Sequence, residues 1–321
     1  MKTMIRIFMS AIALSLAFAS LAQTYPSKPV RIIVPFATGG PTDVMARILA
    51  QKLTESMGQS FVVENRAGAG GNIGIGMGAK AAPDGYTLTM VSSSFVVNPS
   101  LYSTVPYDAY KDFAPITLAA ASPNLIVVHP SVPAKTIQEL VALIRANPGK
   151  YSYAHPGVGT TPHLSGELLR LTFNLDMVAA PFGGAGPAIT SVLAGHTPVA
   201  VTAVPPAMAH VKGGALRALA ITGTKRNPEL PNVPTMAEAG MNGQEAETMQ
   251  GLLAPAGTPK AIVDRLNREV IKIVTQPEMR DKLLGMGFDP VGNTPEQFSA
   301  YMHAEITRWN KVIRDAKLKM E

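Results

Sequence analysis

The sequence predicts an α/β protein of two lobes between which the chain passes twice. Three observations carry that expectation. A unit made of a β-branched apolar run, a Gly-rich turn and an amphipathic helix recurs along the chain. Two extended runs, 124–129 and 251–254, lack the Gly turn and helix that follow the others, so they read as crossings between lobes. The chain has 321 residues, 46% hydrophobic and 16% charged, enough for two cores rather than a disordered polymer. Alternating strands and helices imply a mostly parallel sheet covered on both faces.

The elements follow in order. Val30-Arg31-Ile32-Ile33-Val34 is a strand run and Thr38-Gly39-Gly40 turns it. A helix starts at Pro41, with Met45, Ile48, Leu49, Leu53 and Met57 at spacings that make one face. Phe61-Val62-Val63 is a second strand, followed by Gly68-Ala69-Gly70-Gly71 and a short helix opened by Asn72. Thr87-Leu88-Thr89-Met90-Val91 is a third. The plan recurs after residue 130. Thr136 and Glu139 form a capping box ahead of Ile137, Leu140, Val141 and Ile144, and Asn147-Pro148-Gly149 stops that helix. Strands are expected at 151–154, 177–180, 199–204 and 216–221. Helices begin near Pro162 and Pro187, because proline at the first helical position loses no needed donor. Beyond the second crossing, helical spacing covers 259–275, 278–286 and 295–315. The predicted lobes are 25–125 plus 251–321, and 126–250. The cleft between them is the natural ligand site.

Residues 1–22 read as an export signal. Lys2 and Arg6 form a positive start, and residues 7–19 are an uncharged apolar run of 13, short of the ~18 needed to span a bilayer. Ser20-Leu21-Ala22 supplies small residues at the cleavage site, expected before Gln23. The remaining chain is expected in a bacterial periplasm. The sequence has no Cys, which excludes a disulfide framework, a thiolate zinc site, a Cys nucleophile and lipid attachment through an N-terminal Cys. Basic residues number 28 against 22 acidic, and 26 against 22 without Lys2 and Arg6; with one Trp this is a poor nucleic-acid binder.

Catalytic and cofactor chemistry finds little footing. None of the six His lies in a His-Glu-x-x-His arrangement, and no close Asp/Glu–His cluster suggests a metal. His155 and His163 bracket a Gly-rich loop, which leaves a shared ligand or simple packing open. Ser92, Ser93 and Ser94 follow a strand, where a nucleophile could sit, but no Gly-x-Ser-x-Gly elbow surrounds them. Gly74-Ile75-Gly76-Met77-Gly78-Ala79 nearly matches a dinucleotide fingerprint but does not directly follow a strand, and no Walker A pattern is present. No cofactor is expected.

What remains is a set of helix N-termini behind glycine turns. Pro35-Phe36-Ala37-Thr38-Gly39-Gly40-Pro41 joins the first strand to the first helix. First-turn N–H groups there have no intrahelical acceptors, and the helix dipole adds about half a positive charge. An anion in such a turn gains several hydrogen bonds without a Lys or Arg. Gly157-Val158-Gly159-Thr160-Thr161-Pro162 repeats the device, and Gly183-Gly184-Ala185-Gly186-Pro187 repeats it again. If these turns face each other across the cleft, a carboxylate is clamped from both sides. Asp43, at the third helical position, is expected to brace its own helix start, and Arg66 to be exposed or paired within the chain.

A series of landmarks runs in order along the chain: Tyr25-Pro26-Ser27-Lys28-Pro29, Val34-Pro35-Phe36 with Gly39-Gly40-Pro41-Thr42-Asp43, and Val63-Glu64-Asn65-Arg66-Ala67-Gly68-Ala69-Gly70-Gly71. Pro83-Asp84-Gly85-Tyr86-Thr87-Leu88, Asn98-Pro99-Ser100-Leu101-Tyr102, Ala254-Pro255-Ala256-Gly257-Thr258-Pro259 and Thr294-Pro295-Glu296-Gln297-Phe298 continue it. In these the chain resembles the substrate-binding proteins of tripartite tricarboxylate transporters, the Bug family of extracytoplasmic solute receptors. The resemblance spans nearly all of 23–321.

The resemblance implies a two-domain periplasmic-binding-protein fold of the Venus-flytrap type II class with two crossover strands. It implies a receptor, not an enzyme, that delivers a small organic carboxylate to a membrane permease. A sensor role toward a two-component system is the alternative and an exported hydrolase a further one. A monomer is expected. Carried over, the ligand loops are Phe36, Ala37, Thr38, Gly39 and Gly40, and Gly157, Val158, Gly159, Thr160 and Thr161. His163 stands at the helix start, and Asn72, Ser94 and Ala185 at other cleft positions.

Three stretches depart from the family pattern. Ala154-His155-Pro156 stands where the second loop usually opens with Gly and Ser, so His155 is expected to narrow the pocket or touch the ligand's far end. Thr248-Met249-Gln250 stands where an aromatic usually precedes Gly251, and Thr197-Pro198 replaces an acidic residue.

Overall fold

The computed structural model describes residues 25–315. The expected export signal at 1–22, with its cleavage site before Gln23, lies outside the described residues. Within them a sheet of ten strands runs through the whole molecule. Its strands are β1 (Val30–Val34), β2 (Phe61–Asn65), β3 (Thr87–Val91), β4 (Phe113–Val128), β5 (Tyr151–His155), β6 (Met177–Pro181), β7 (Val199–Ala203), β8 (Arg217–Ile221), β9 (Glu247–Pro255) and β10 (Asp289–Pro290). The spatial order is β2-β1-β3-β9-β4-β7-β5-β6, with β8 and β10 also on β4.

The helices are α1 (Pro41–Met57), α2 (Asn72–Ala79), α3 (Ser94–Leu101), α4 (Ile137–Ala146), α5 (Thr161–Thr172), α6 (Ala185–Leu193), α7 (Val204–Lys212), α8 (Lys260–Thr275), α9 (Pro277–Gly285) and α10 (Pro295–Asp315). Their boundaries follow local chemistry. Pro41 opens α1, and Gly58, at φ +74°, ends it by donating its N–H to the Thr54 carbonyl. The α4 box forms as its sequence predicts: Thr136 Oγ1 accepts the Glu139 N–H at 3.1 Å, and the Glu139 carboxylate reaches back to the Lys135 N–H at 2.6 Å. In α8 the helically spaced Val263, Leu266, Val270 and Ile273 are buried and Ile262 is half-buried. Each such side chain stabilises the fold by roughly 1.5–3 kcal/mol relative to leaving it exposed.

The sheet is mixed rather than mostly parallel. β1 pairs in parallel with β2 and β3, and β5 with β6 and β7, whereas every pairing of β4 and β9 is antiparallel. The reason lies in the connectivity. β4 carries the chain from one end of the sheet to the other and β9 brings it back, so they run in opposite directions at the centre. Both crossings are longer than the expected runs. β4 pairs with β9 over its first part, up to Pro123, and with β7 and β8 from Asn124 onward. Buried hydrophobic clusters sort accordingly. Two are drawn mainly from the segments before and after the crossings, with Leu164 and Ala246 the exceptions, and two from the segment between them. None of the helices among the described residues is long and apolar enough to cross a membrane.

Two helices escape the sequence reading. α3 is buried nearly all round, Ser94 and Asn98 included, and contains Pro99, so its Phe95-Val96-Val97 run shows no amphipathic helical spacing. α7 opens with Pro205-Pro206 directly after β7, a proline start hidden by the absence of any Gly turn.

Candidate functional site

The two ends of the sheet meet along the glycine turns. The Ala37 N–H donates to the Gly183 carbonyl at 3.0 Å, so the first loop is bonded to the turn before α6. On the other flank, Gly70 and Gly159 make contacts that no side chain would permit. A Cβ on Gly70 (φ +61°) would lie 2.2 Å from the Val158 carbonyl oxygen, and one on Gly159 (φ +81°) would lie 1.9 Å from Asn98 Oδ1.

Between these contacts is a small, partly open cavity of about 20 Å³. It is lined by Gly40, Pro41 and Thr42 at the start of α1, Thr160 and Pro162 at the start of α5, Ala185 at the start of α6, and Ala203, which caps α7. Ser92 just ahead of α3, Thr248 of β9, Phe36 and Pro156 complete the wall. Five helix N-termini thus converge on one space, and none of the lining side chains carries a charge. Orphan first-turn N–H groups and five positive dipole ends make the space attractive to an anion without a cation being buried there. Phe36 and Pro156 also wall an outer cleft of about 240 Å³, with Gly70, Gly71, Tyr102, Gly157, Val158 and Phe182.

The first loop is braced by a buried carboxylate. Asp43, 3% exposed, accepts from the Gly39 N–H at 3.0 Å, from Arg47 Nε at 3.0 Å and from Asn65 Nδ2 at 2.9 Å. Asn65 Nδ2 also donates to the Phe36 carbonyl at 2.9 Å. Burial pushes the Asp43 carboxyl up, but the bonds from Arg47, Gly39 and Asn65 together outweigh it and hold the group below the usual carboxylate range. Arg66 pairs with Glu64 and stays exposed, as expected.

The second loop is braced by neutral groups. Thr160 Oγ1 donates to the Gly157 carbonyl at 2.6 Å and caps α5 by accepting the His163 N–H. His163 Nδ1 accepts the Gly159 N–H at 3.4 Å. Beneath it lies His155, fully buried, with ring centroids 4.6 Å apart. Burial, with His163 beside it, lowers the His155 pKa to about 3; burial likewise lowers that of His163. Both imidazoles are therefore neutral near pH 7.

The predicted site residues divide. Phe36, Gly40, Thr160 and Ala185 line the inner cavity, and Phe36, Gly157 and Val158 line the outer cleft. Ala37 is spent on the bond to Gly183, and Thr38 and Gly39 face solvent. Asn72 accepts from Asn98 Nδ2 at 2.7 Å within its own end of the molecule. Ser94 Oγ is buried against Gly71. Thr161 pairs its hydroxyl with that of Thr248 at 2.5 Å, and Gly159 packs on Asn98. His155 lines neither space. The side chain expected to narrow the pocket points into the body between Tyr153 and His163, because it is the last residue of a buried strand. The sequence reading missed Thr42, Ser92, Pro156, Ala203 and Thr248 as walls.

Enzymatic chemistry finds no machinery in the cavity. Ser92 is at the wall, but no His, Asp, Glu or Lys lines it to take a proton. Ser93 is tied to β9, accepting the Met249 N–H at 2.9 Å. No cluster of three or more His, Cys, Asp or Glu that could hold a metal occurs among the described residues.

Residues 45–318 match the family described as the tripartite tricarboxylate transporter family receptor. The chain belongs to that family. It is a family of receptors, not of enzymes. Solved relatives share the fold over nearly the whole chain. The periplasmic binding protein BugD superposes with a TM-score of 0.90 at 33% identity, covering 92% of this chain and 100% of its own. An R. palustris protein solved with adipate superposes with a TM-score of 0.90 at 35% identity, covering 92% and 99%. MatC from Rhodopseudomonas palustris, with bound malate, gives 0.86 at 32% identity, covering 90% and 100%. This member of the tripartite tricarboxylate receptor family is thus a solute-binding protein with the periplasmic-binding-protein fold.

Proposed function

We propose that this receptor is exported to the periplasm, captures a small organic carboxylate and delivers it to the membrane permease of a tripartite tricarboxylate-type transporter. The segments 25–125 plus 251–321 and 126–250 act as two lobes that close on the ligand. One observation carries the reading: five helix N-termini face a single cavity that has no cationic side chain. That arrangement suits a carboxylate, which accepts several backbone hydrogen bonds and is favoured by each dipole. The adipate and malate of the two relatives are both carboxylates, which supports the same chemistry here. The ligand favours closure by binding the closed arrangement better than the open one.

Thermal unfolding against a panel of small organic acids and neutral solutes tests it. An acid present at ~100 times its dissociation constant stabilises by about 2.7 kcal/mol, which is readily visible as a raised Tm. A panel in which neutral solutes raise Tm and every acid leaves it unchanged would falsify the carboxylate reading.

A further inference from the structure

Cavity walls drawn from three different elements are tied together behind the cavity by one residue. Asn124 is where β4 changes partners. Ser122 and Pro123 still pair with Thr248 and Glu247 of β9, whereas Asn124 pairs with Ala203 of β7. Thr248 and Ala203 both line the cavity. The Asn124 side chain is fully buried and both ends of its amide are engaged. Thr248 Oγ1 donates to Asn124 Oδ1 at 2.9 Å, and Asn124 Nδ2 donates to Ser165 Oγ at 3.1 Å. The Thr248 hydroxyl has a single proton, so in its 2.5 Å contact with Thr161 it accepts and Thr161 donates. One directed chain results, from Thr161 to Thr248 to Asn124 to Ser165.

The chain leaves α5 and returns to it. Thr161 and Ser165 stand four residues apart on α5, so they share a face. Thr160 and Pro162, on either side of Thr161, line the cavity. The Asn124 main chain is fixed as well. Its N–H donates to Thr222 Oγ1 at 2.8 Å, its carbonyl accepts the Thr222 N–H at 2.8 Å, and the Thr222 hydroxyl donates to the Ala246 carbonyl at 2.6 Å, just ahead of β9. Thr161, Thr248 and Ser165 are buried too, so a hydroxyl cut off from the chain loses its partner rather than exchanging it for bulk water. The geometry points to Asn124 as a positioning residue. At the point where β4 passes from one ladder to the next, its amide fixes the start of α5 against β9 and holds three walls of the cavity at the spacing a ligand needs. Asn124 does not line the cavity; it acts through Thr248 and Thr161. This rests on the cavity being the carboxylate site and names what sets its dimensions.

A double-mutant cycle with two readouts tests it. Asn124→Ala removes the amide, and Thr161→Val keeps the shape of threonine while removing its hydroxyl. Calorimetric titration uses malate, succinate, adipate and citrate. For an acid that binds, each single variant is expected to weaken affinity at least about tenfold. The double variant is expected to lie within about twofold of the weaker single, because a chain cut once is already cut. Losses that multiply in the double variant overturn the inference, since they show independent contacts. An Asn124→Ala protein with lowered Tm and unchanged affinity also overturns it, and leaves the amide a role in stability alone. The second readout is amide hydrogen exchange of the unliganded protein. The Leu164 N–H donates to the Thr160 carbonyl at 3.0 Å in the first turn of α5. In Asn124→Ala it is expected to exchange at least about tenfold faster, beyond any change seen in α8. Unaltered Leu164 exchange overturns the inference whatever binds. If no acid binds, the carboxylate reading fails, while faster Leu164 exchange still supports the placing of α5 by Asn124. Should Asn124→Ala not fold, Ser165→Ala breaks the same chain one link on and takes its place in both measurements.

Discussion

The two glycine loops that meet at the cavity use one backbone device on two different supports. The loop at 36–40 rests on Asp43, an ionised carboxylate held by Arg47, Asn65 and the Gly39 N–H. The loop at 157–161 rests on uncharged groups: the Thr160 hydroxyl, the His163 ring, and His155 behind it. The comparison teaches that a helix start can be aimed at an anion without a neighbouring cation, provided the brace adds no field of its own. On the first loop the acidic brace is neutralised by Arg47, and on the second there is no charge to neutralise.

The largest effect expected comes from the contact that seats the second loop against the turn at 68–71. Gly70→Ala sets a methyl group against the Val158 backbone, which cannot rotate aside. We expect ligand affinity by calorimetry to fall at least about a hundredfold, near 2.7 kcal/mol, while the unliganded protein stays folded. Unchanged affinity would show that the glycine turns need not approach for binding.

Next comes the charged brace. Asp43→Ala removes the bonds from the Gly39 N–H, Arg47 and Asn65 that make up the brace, Arg47 being 52% exposed. Loss of about 2 kcal/mol is expected in denaturant unfolding, discounted for the exposed partner. An Asp43→Ala protein as stable as wild type would remove the asymmetry between the loops.

The neutral brace should appear in acid. His155 and His163 have native pKa values below their unfolded ones, so the unfolded chain binds more protons as pH falls through the usual histidine range. Stability is then complete above about pH 6.5 and declines below it, by up to about 1.4 kcal/mol per pH unit per histidine. Glu247 and Asp289 act in the opposite sense. Burial raises both carboxyls, Glu247 further through Asp289 and Glu305, so their contribution is present at low pH and lost as pH rises through their native pKa values. His155→Phe should flatten the acid limb of a Tm-against-pH profile; a limb of unaltered slope would place the sensitivity elsewhere. The smallest effect is expected from Arg66→Ala. It breaks an exposed pair with Glu64 and should change stability by less than about 0.5 kcal/mol and leave affinity alone.

Much of this was legible in the chain. Periodic helices such as α8, and turns spelled by Gly and Pro, are local signals, and the role of Asp43 followed from its place at the third helical position. The convergence of the first and second loops could only be posed as a condition. The remaining walls were not legible for physical reasons. Ser92 and Ala203 reach the cavity because α3 and α7 begin beside them, and both helices lack a Gly-turn signal. Thr248 fell outside the expected crossing run because β9 starts at Glu247. His155 read as a pocket residue because it precedes the loop, whereas strand alternation turns it inward. Within the Thr248-Met249-Gln250 stretch that replaces an aromatic, Met249 packs with Phe298 on the far face while Thr248 lines the cavity.

The central strands carry one more consequence. β4 and β9 are laddered to each other from Phe113–Pro255 to Pro123–Glu247, with register irregularities near Ile116 and Ala119. Two free tethers would let the ends of the molecule twist, slide and tilt independently. Two tethers sewn side by side behave as a single leaf spring: they resist torsion and bend about one axis, and the irregular stitches are where the leaf gives most easily. Any guest in the cavity would then escape only when that leaf flexes, so its residence time would be set by the stiffness of a ribbon it never touches.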